Sequence, residues 1–224
     1  PLPVRLEVLA TRAMAATRAG TGRGALEFPG LDAACRDLLR AAAPLLPPLP
    51  AARQNGPDNL YLVTEIYPAG GHRPMLEQII RARPQDRQAV LFTGALERTP
   101  RFSQTHMAGL GLAVMAPDPL LVLWDKWLWL RTRIAEQAPR RIFLAHHSED
   151  VLATLLALEF APHYGRGLLF LRHADTVASL GADLAGVTHV AIRPEQQAAL
   201  RARHPDLAVA LLPLCFDPEA PRPR

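Results

Sequence analysis

Three short stretches combine residue types that can move protons or grip polar oxygens: Gly70-Gly71-His72, His146-His147-Ser148-Glu149-Asp150 and Arg172-His173-Ala174-Asp175. Paired glycines let a backbone approach a ligand, and the N–H groups that open a helix attract anionic or strongly polar oxygens. An imidazole beside both, His72, suits a base, a donor to a developing oxyanion, or a contact to a sugar hydroxyl. A tight turn with a solvated histidine accounts for the same residues without chemistry. In the second stretch Ser148 reads as a helix N-cap, with Glu149 and Asp150 in a first turn where the helix dipole favours them. That leaves His146 and His147 to face a cleft. In the third, Asp175 beside His173 suits a carboxylate that orients an imidazole and raises its basicity, as a general base requires. It equally suits a helix cap, with His173 satisfying a backbone group. Adjacent histidines near an aspartate are also metal-ligand types, but a divalent ion takes three or four convergent donors and the cluster alone does not supply them. No metal and no cofactor are expected.

The elements that must hold these residues follow from the spacing of apolar side chains. Short apolar runs at 60–63, 89–93, 112–115, 141–145, 168–172, 189–192 and 209–212 read as strands. Helical spacing is found at 74–83, 119–137, 149–160, 176–184 and 194–203. Near-continuous apolar strands alternating with helices predict an α/β fold, a doubly wound, Rossmann-like parallel sheet covered on both faces. Ligands of such sheets bind outside the carboxyl ends of the strands. The polar residues at those ends are Thr64 and Glu65 with the loop to His72, Thr93 and Gly94, His146 and His147, His173 and Asp175, and Arg193. Thr93 and Arg193 join Gly70, Gly71 and His147 as candidate substrate contacts, Arg193 as a partner for a phosphate or as a solvated residue. Trp124, Trp127 and Trp129 lie in a helix apolar on nearly all sides and are expected in the core or under an interface.

Residues 1–56 differ. Two helical patterns, at 4–18 and 31–46, flank a glycine-rich stretch and end in Pro44, Pro47, Pro48 and Pro50. They predict a helical arm or linker ahead of an α/β domain over 57–224. Across the 224 residues the net charge of +4 is carried by arginine, with Lys126 the only lysine. The arginines are scattered and not interleaved with aromatics, so no nucleic acid partner is expected. The apolar stretches are too short to cross a bilayer, and the N-terminal region is broken by Arg5, Glu7, Arg12 and Arg18, unlike a secretory signal. Cys35 and Cys215 are far apart without metal spacing, which suits a reducing cytoplasm.

The glycine loop followed by His72-Arg73-Pro74 resembles the first glycine loop of GT-B glycosyltransferases. It is similar to the GGH-x-x-P loop of the peptidoglycan lipid-intermediate N-acetylglucosaminyltransferase and to the GGH loop of bacterial cell-surface polysaccharide transferases. His146 to Asp150, His173 to Asp175 and Ser179-Leu180-Gly181 resemble later motifs of the second group, with Ser148 where that group tends to have proline and Thr176 where it has histidine. The resemblance spans about residues 60–213. It implies a two-lobed bacterial enzyme of polysaccharide biosynthesis whose N-terminal lobe binds the acceptor and whose C-terminal lobe binds the nucleotide-sugar, usually without an essential metal. By that likeness Gly70, Gly71 and His72 line the acceptor side, and His147, His173 and Asp175 contact sugar or position the acceptor hydroxyl. His72, His173 and Asp175 are the implied catalytic residues. A glycan or lipid-linked acceptor is the implied partner, which leaves peripheral membrane association open. No second Rossmann lobe follows Pro213 in this sequence, so the expectation is a donor-binding lobe in a longer chain or supplied in trans. Two rivals stand beside it: a non-catalytic binding or scaffold domain, and a metal-dependent phosphoester hydrolase using His146, His147, Asp150, His173 and Asp175.

Overall fold

The computed structural model describes residues 1–20, 28–52, 55–69, 71–96, 100–172 and 179–213. Seven strands form one sheet: β1 Asn59–Val63, β2 Gln88–Phe92, β3 Ala113–Met115, β4 Arg141–Ala145, β5 Leu168–Arg172, β6 Thr188–Ala191 and β7 Ala208–Leu211. Their order is β3-β2-β1-β4-β5-β6-β7, and every neighbouring pair is parallel. The helices are α1 Leu2–Gly20, α2 Pro29–Ala42, α3 His72–Arg81, α4 Pro100–Gly109, α5 Leu123–Gln137, α6 Val151–Tyr164 and α7 Pro194–Arg203. This is the expected α/β architecture, a Rossmann-like doubly wound fold. Among the described residues no helix is long and apolar enough to cross a membrane.

Strand residues alternate between two cores because successive side chains point to opposite faces. Leu60, Leu62, Ile142, Leu144, Leu168 and Phe170 face α5 and α6, where Trp127, Leu130, Ile134 and Phe160 meet them. Tyr61, Val63, Phe143 and Ala145 face α3 and α4, where Met75, Leu76, Ile79 and Met107 lie. Both faces being covered, the strands read as continuous apolar runs. The buried Trp127 and half-buried Trp124 and Trp129 bear out the core expectation for the tryptophan helix.

The N-terminal helices are a further layer of the same body. Leu6, Leu9 and Ala13 of α1 and Cys35, Leu38 and Ala42 of α2 are buried in the core that holds α5 and α6. α6 is therefore apolar all round, as expected of a helix caught between a sheet and another helical layer. The proline tail is tied down where Arg131 Nη1 donates to the Pro47 carbonyl at 2.6 Å while its guanidinium pairs with Glu159 at 2.8 Å.

Two local expectations are corrected, and one helix is added to those expected. Pro100–Gly109 is a helix that the apolar pattern does not reveal, since only Ser103 and Met107 of its ten residues are buried and the apolar stripe is thin. Residues 179–184, expected to close a helix over 176–184, form a turn in which Gly181 has φ +75°. The first three positions of that expected helix lie outside the described residues. Finally, α6 begins at Val151 rather than at Glu149, and its cap is Asp150, not Ser148.

Candidate functional site at the switch point of the sheet

The strand order reverses between β1 and β4, since β1 leads outward to β2 and β3 while β4 leads to β5, β6 and β7. In open α/β sheets the chain segments leaving such a pair diverge and open a crevice at their carboxyl ends. Here those segments are Thr64 to Gly71, which enters α3, and His146 to Asp150, which enters α6.

Beneath the crevice lies Asp150. It is fully buried, and its Oδ2 accepts from the hydroxyls of Thr64 and Thr93, each at 2.6 Å. Its Oδ1 accepts from the Ala153 N–H at 3.0 Å, capping α6. Thr64 Oγ1 in turn accepts from the His147 N–H at 2.8 Å, and Thr93 Oγ1 from the Ala95 N–H at 3.3 Å. Each threonine oxygen thus receives a backbone proton and directs its own proton to the carboxylate. Burial pushes the Asp150 carboxyl upward, against the hydroxyls of Thr64 and Thr93, the Ala153 N–H and nearby His147. One side chain therefore fastens the ends of β1, β2 and β4.

Above this strut the rim is aromatic and basic. The His147 ring lies 5.2 Å from the Tyr67 ring and 5.6 Å from the His72 ring, centroid to centroid. Tyr67 donates its hydroxyl to Glu65, which is buried. His72 is the first residue of α3, and no side chain caps that helix. Gly71, its N-cap, has φ −74°, open to any residue, and a Cβ there would meet nothing within 4 Å. Neither strain nor packing of the described residues calls for glycine at that position. The ring nitrogens of His72 and the Glu65 carboxylate are covered, whereas His147 and Tyr67 are half-buried. The helix start, the His147 imidazole and the Tyr67 phenol are therefore the groups placed to hold polar oxygens and to accept or return a proton.

Comparison with models of known protein families, with curated proteins and with solved structures finds no match to this chain. The function must be read from the crevice itself.

The structure brings His72, Gly71 and His147 together at this crevice. Gly70, His173 and Asp175 lie outside the described residues. Thr93 is at the expected strand end, but it is fully buried and its hydroxyl is directed to Asp150, below the rim. Arg193 is exposed as the residue before α7, beyond β6 and two strands from β4. The expectation that both His146 and His147 face the cleft is corrected. His146 is buried, edge-on to Phe170 at 4.8 Å, because adjacent residues leaving a strand point to opposite faces. Sequence reasoning overlooked Tyr67, for which its position offers no signal, and the role of Asp150. An aspartate directly ahead of a wholly apolar helical run is a capping signal that could have found the latter.

Two small cavities adjoin the rim: one of about 70 Å³ lined by Thr64, Glu65, Gly94 and Ser103, one of about 160 Å³ lined by Glu7, Glu149, Ala95 and Leu123. A hollow of about 980 Å³ lies elsewhere, against the α3 face of β4 to β7, with Met75, Phe143, Leu171 and Leu212 among its walls. Its described lining residues bring no acid–base pair together, so the chemistry, not this volume, marks the site. Among the described residues no group of three or more His, Cys, Asp or Glu side chains is arranged to hold a metal ion.

Proposed function

We propose that this chain provides the acceptor-side lobe of a GT-B type glycosyltransferase, which moves a sugar from a nucleotide-sugar to a glycan or lipid-linked acceptor. The observation that carries the reading is the meeting of His72, at the end of the glycine loop, with His147 across the switch point, their rings 5.6 Å apart. In such a transfer a base takes the acceptor hydroxyl proton and the oxygen bonds to the anomeric carbon. The bond from that carbon to the nucleotide phosphate breaks, its electron pair leaving with the phosphate. His147 is suited to orient the hydroxyl and take its proton. The ring nitrogens of His72 are covered, so a role for His72 in that step requires the loop ahead of α3 to shift when the acceptor binds. The uncapped start of α3 beside Gly71 suits polar or anionic oxygens. A donor-binding lobe, in cis or in trans, completes the cleft.

The hydrolase reading is weaker, because both oxygens of Asp150 are already held by Thr64, Thr93 and Ala153 and His146 is turned into the core. With the donor lobe present, His72→Ala and His173→Ala are each expected to lower sugar transfer at least tenfold while the unfolding temperature holds. Near wild-type turnover in both variants removes the assignment. A stable partner complex that turns over no nucleotide-sugar would instead establish a non-catalytic binding domain.

A further inference from the structure

α2 reaches towards the candidate site through a buried carboxylate. Asp32 lies in the first turn of α2, where an acidic residue would normally sit in water near the helix start. Here it is 2% exposed, and its Oδ1 accepts from the Gly181 N–H at 2.7 Å, a partner 149 residues away. Arg36, one helical turn on, pairs with Asp183 of the same turn. The other side of that turn is held by Arg172, whose Nη2 donates to the Ala182 carbonyl at 2.7 Å.

From the turn, two connections run to the site. The Leu180 N–H donates to the Ser148 carbonyl at 2.9 Å, and Ser148 is the residue after His147. Gly181, at φ +75°, sits so close over Phe170 that a Cβ would come within 2.9 Å of its ring, and Phe170 in turn carries the edge of His146. The turn is thus wedged between α2 and the segment that bears His147. Burying a carboxylate for one backbone hydrogen bond is a poor source of stability, since the charge loses its hydration. It is an effective way to fix one backbone conformation, because an alternative leaves that carboxylate unsatisfied.

We propose that Asp32 is a positioning residue for the switch-point site: with Arg36 it fixes the 179–184 turn, and through Leu180 and Phe170 it sets where the His146–Asp150 segment stands. The helical arm is then a working part of the crevice. This coupling does not depend on which ligand the crevice takes, so its failure and the failure of the transferase reading are separable.

The test reads geometry in the full chain. Asp32→Ala is expected to raise amide hydrogen exchange at Leu180 and Gly181 at least tenfold, and to displace the ring resonances of His146 and His147. Asp32→Asn keeps an acceptor for the Gly181 N–H and should restore both. Asp37→Ala, on the exposed side of α2 where Asp37 pairs with Arg40, should change neither. Should Asp32→Ala fail to fold, Arg36→Ala carries the test, because Arg36 is only partly buried, and it should loosen the same two amides. Exchange that rises evenly over the whole sheet, or histidine resonances unmoved while the turn loosens, would overturn the proposal.

Discussion

His189 and Asp32 are both buried near the 179–184 turn, and their titrations oppose one another. His189 is fully buried, and its Nε2 donates to the Leu184 carbonyl at 2.9 Å. Burial, helped by Arg172, lowers its pKa from 6.5 to about 4. Between those values the unfolded chain binds a proton that the fold refuses, so stability falls as the pH drops from 6.5 to 4, by on the order of 3 kcal/mol at the acid end. Asp32 behaves inversely. Burial raises it from 3.8 to about 6, with Asp183 adding and the Gly181 N–H, Arg36 and Arg172 opposing. The fold holds that proton more tightly than the unfolded chain, so this contribution grows as the pH drops from 6 towards 4 and is lost as it rises through 6. Urea midpoints at pH 7 and pH 4.5 should therefore separate the two groups. His189→Gln is expected to remove the acid loss, and Asp32→Asn to make the acid loss larger than in the wild type.

Among the elements, a tight junction lies at the entry to β1. Gly56 passes so close to the end of α5 that a Cβ would stand 1.7 Å from the Gln137 carbonyl oxygen and 2.9 Å from its carbon. Both obstacles are backbone, so neither can rotate away. The same junction carries the hydrogen bonds from the Arg140 N–H to the Pro57 carbonyl at 3.2 Å and from the Arg141 N–H to the Asp58 carbonyl at 3.0 Å, which start β4 beside β1. Gly56→Ala is expected to cost at least ~2 kcal/mol, visible as a lower denaturant midpoint with an unchanged slope. Gly71→Ala, at the N-cap of α3, is its counterpart. With open space around the new methyl and a negative φ, it should leave the midpoint within about 0.5 kcal/mol of wild type.

For the whole molecule the consequential fact is that α1 and α2 share a core with α5, α6 and the sheet. A chain without residues 1–50 would expose the outer side of α6, where nearly every residue is apolar, so it is expected to aggregate or to lose its cooperative unfolding transition. Leu6→Ala, at a fully buried position, should cost about 2–5 kcal/mol, and a change of only a few tenths would mean that the arm is loosely attached. The sequence by itself determined the order and kind of nearly all elements in the sheet region, because apolar period is a property of neighbours along the chain. It also determined the strand ends as the place to look, and His72 and His147 as residues to find there. The tertiary structure decided what depends on partners distant in sequence. Strand order put β4 beside β1 and so made the crevice. The pleat sent His147 to the rim and His146 to the core. Asp150 met hydroxyls 86 and 57 residues away, and Asp32 an amide 149 residues away. A carboxylate ahead of an apolar helix looks the same in sequence whether it caps one helix or fastens three strands, because desolvation and distant donors exist only once the chain has closed around it.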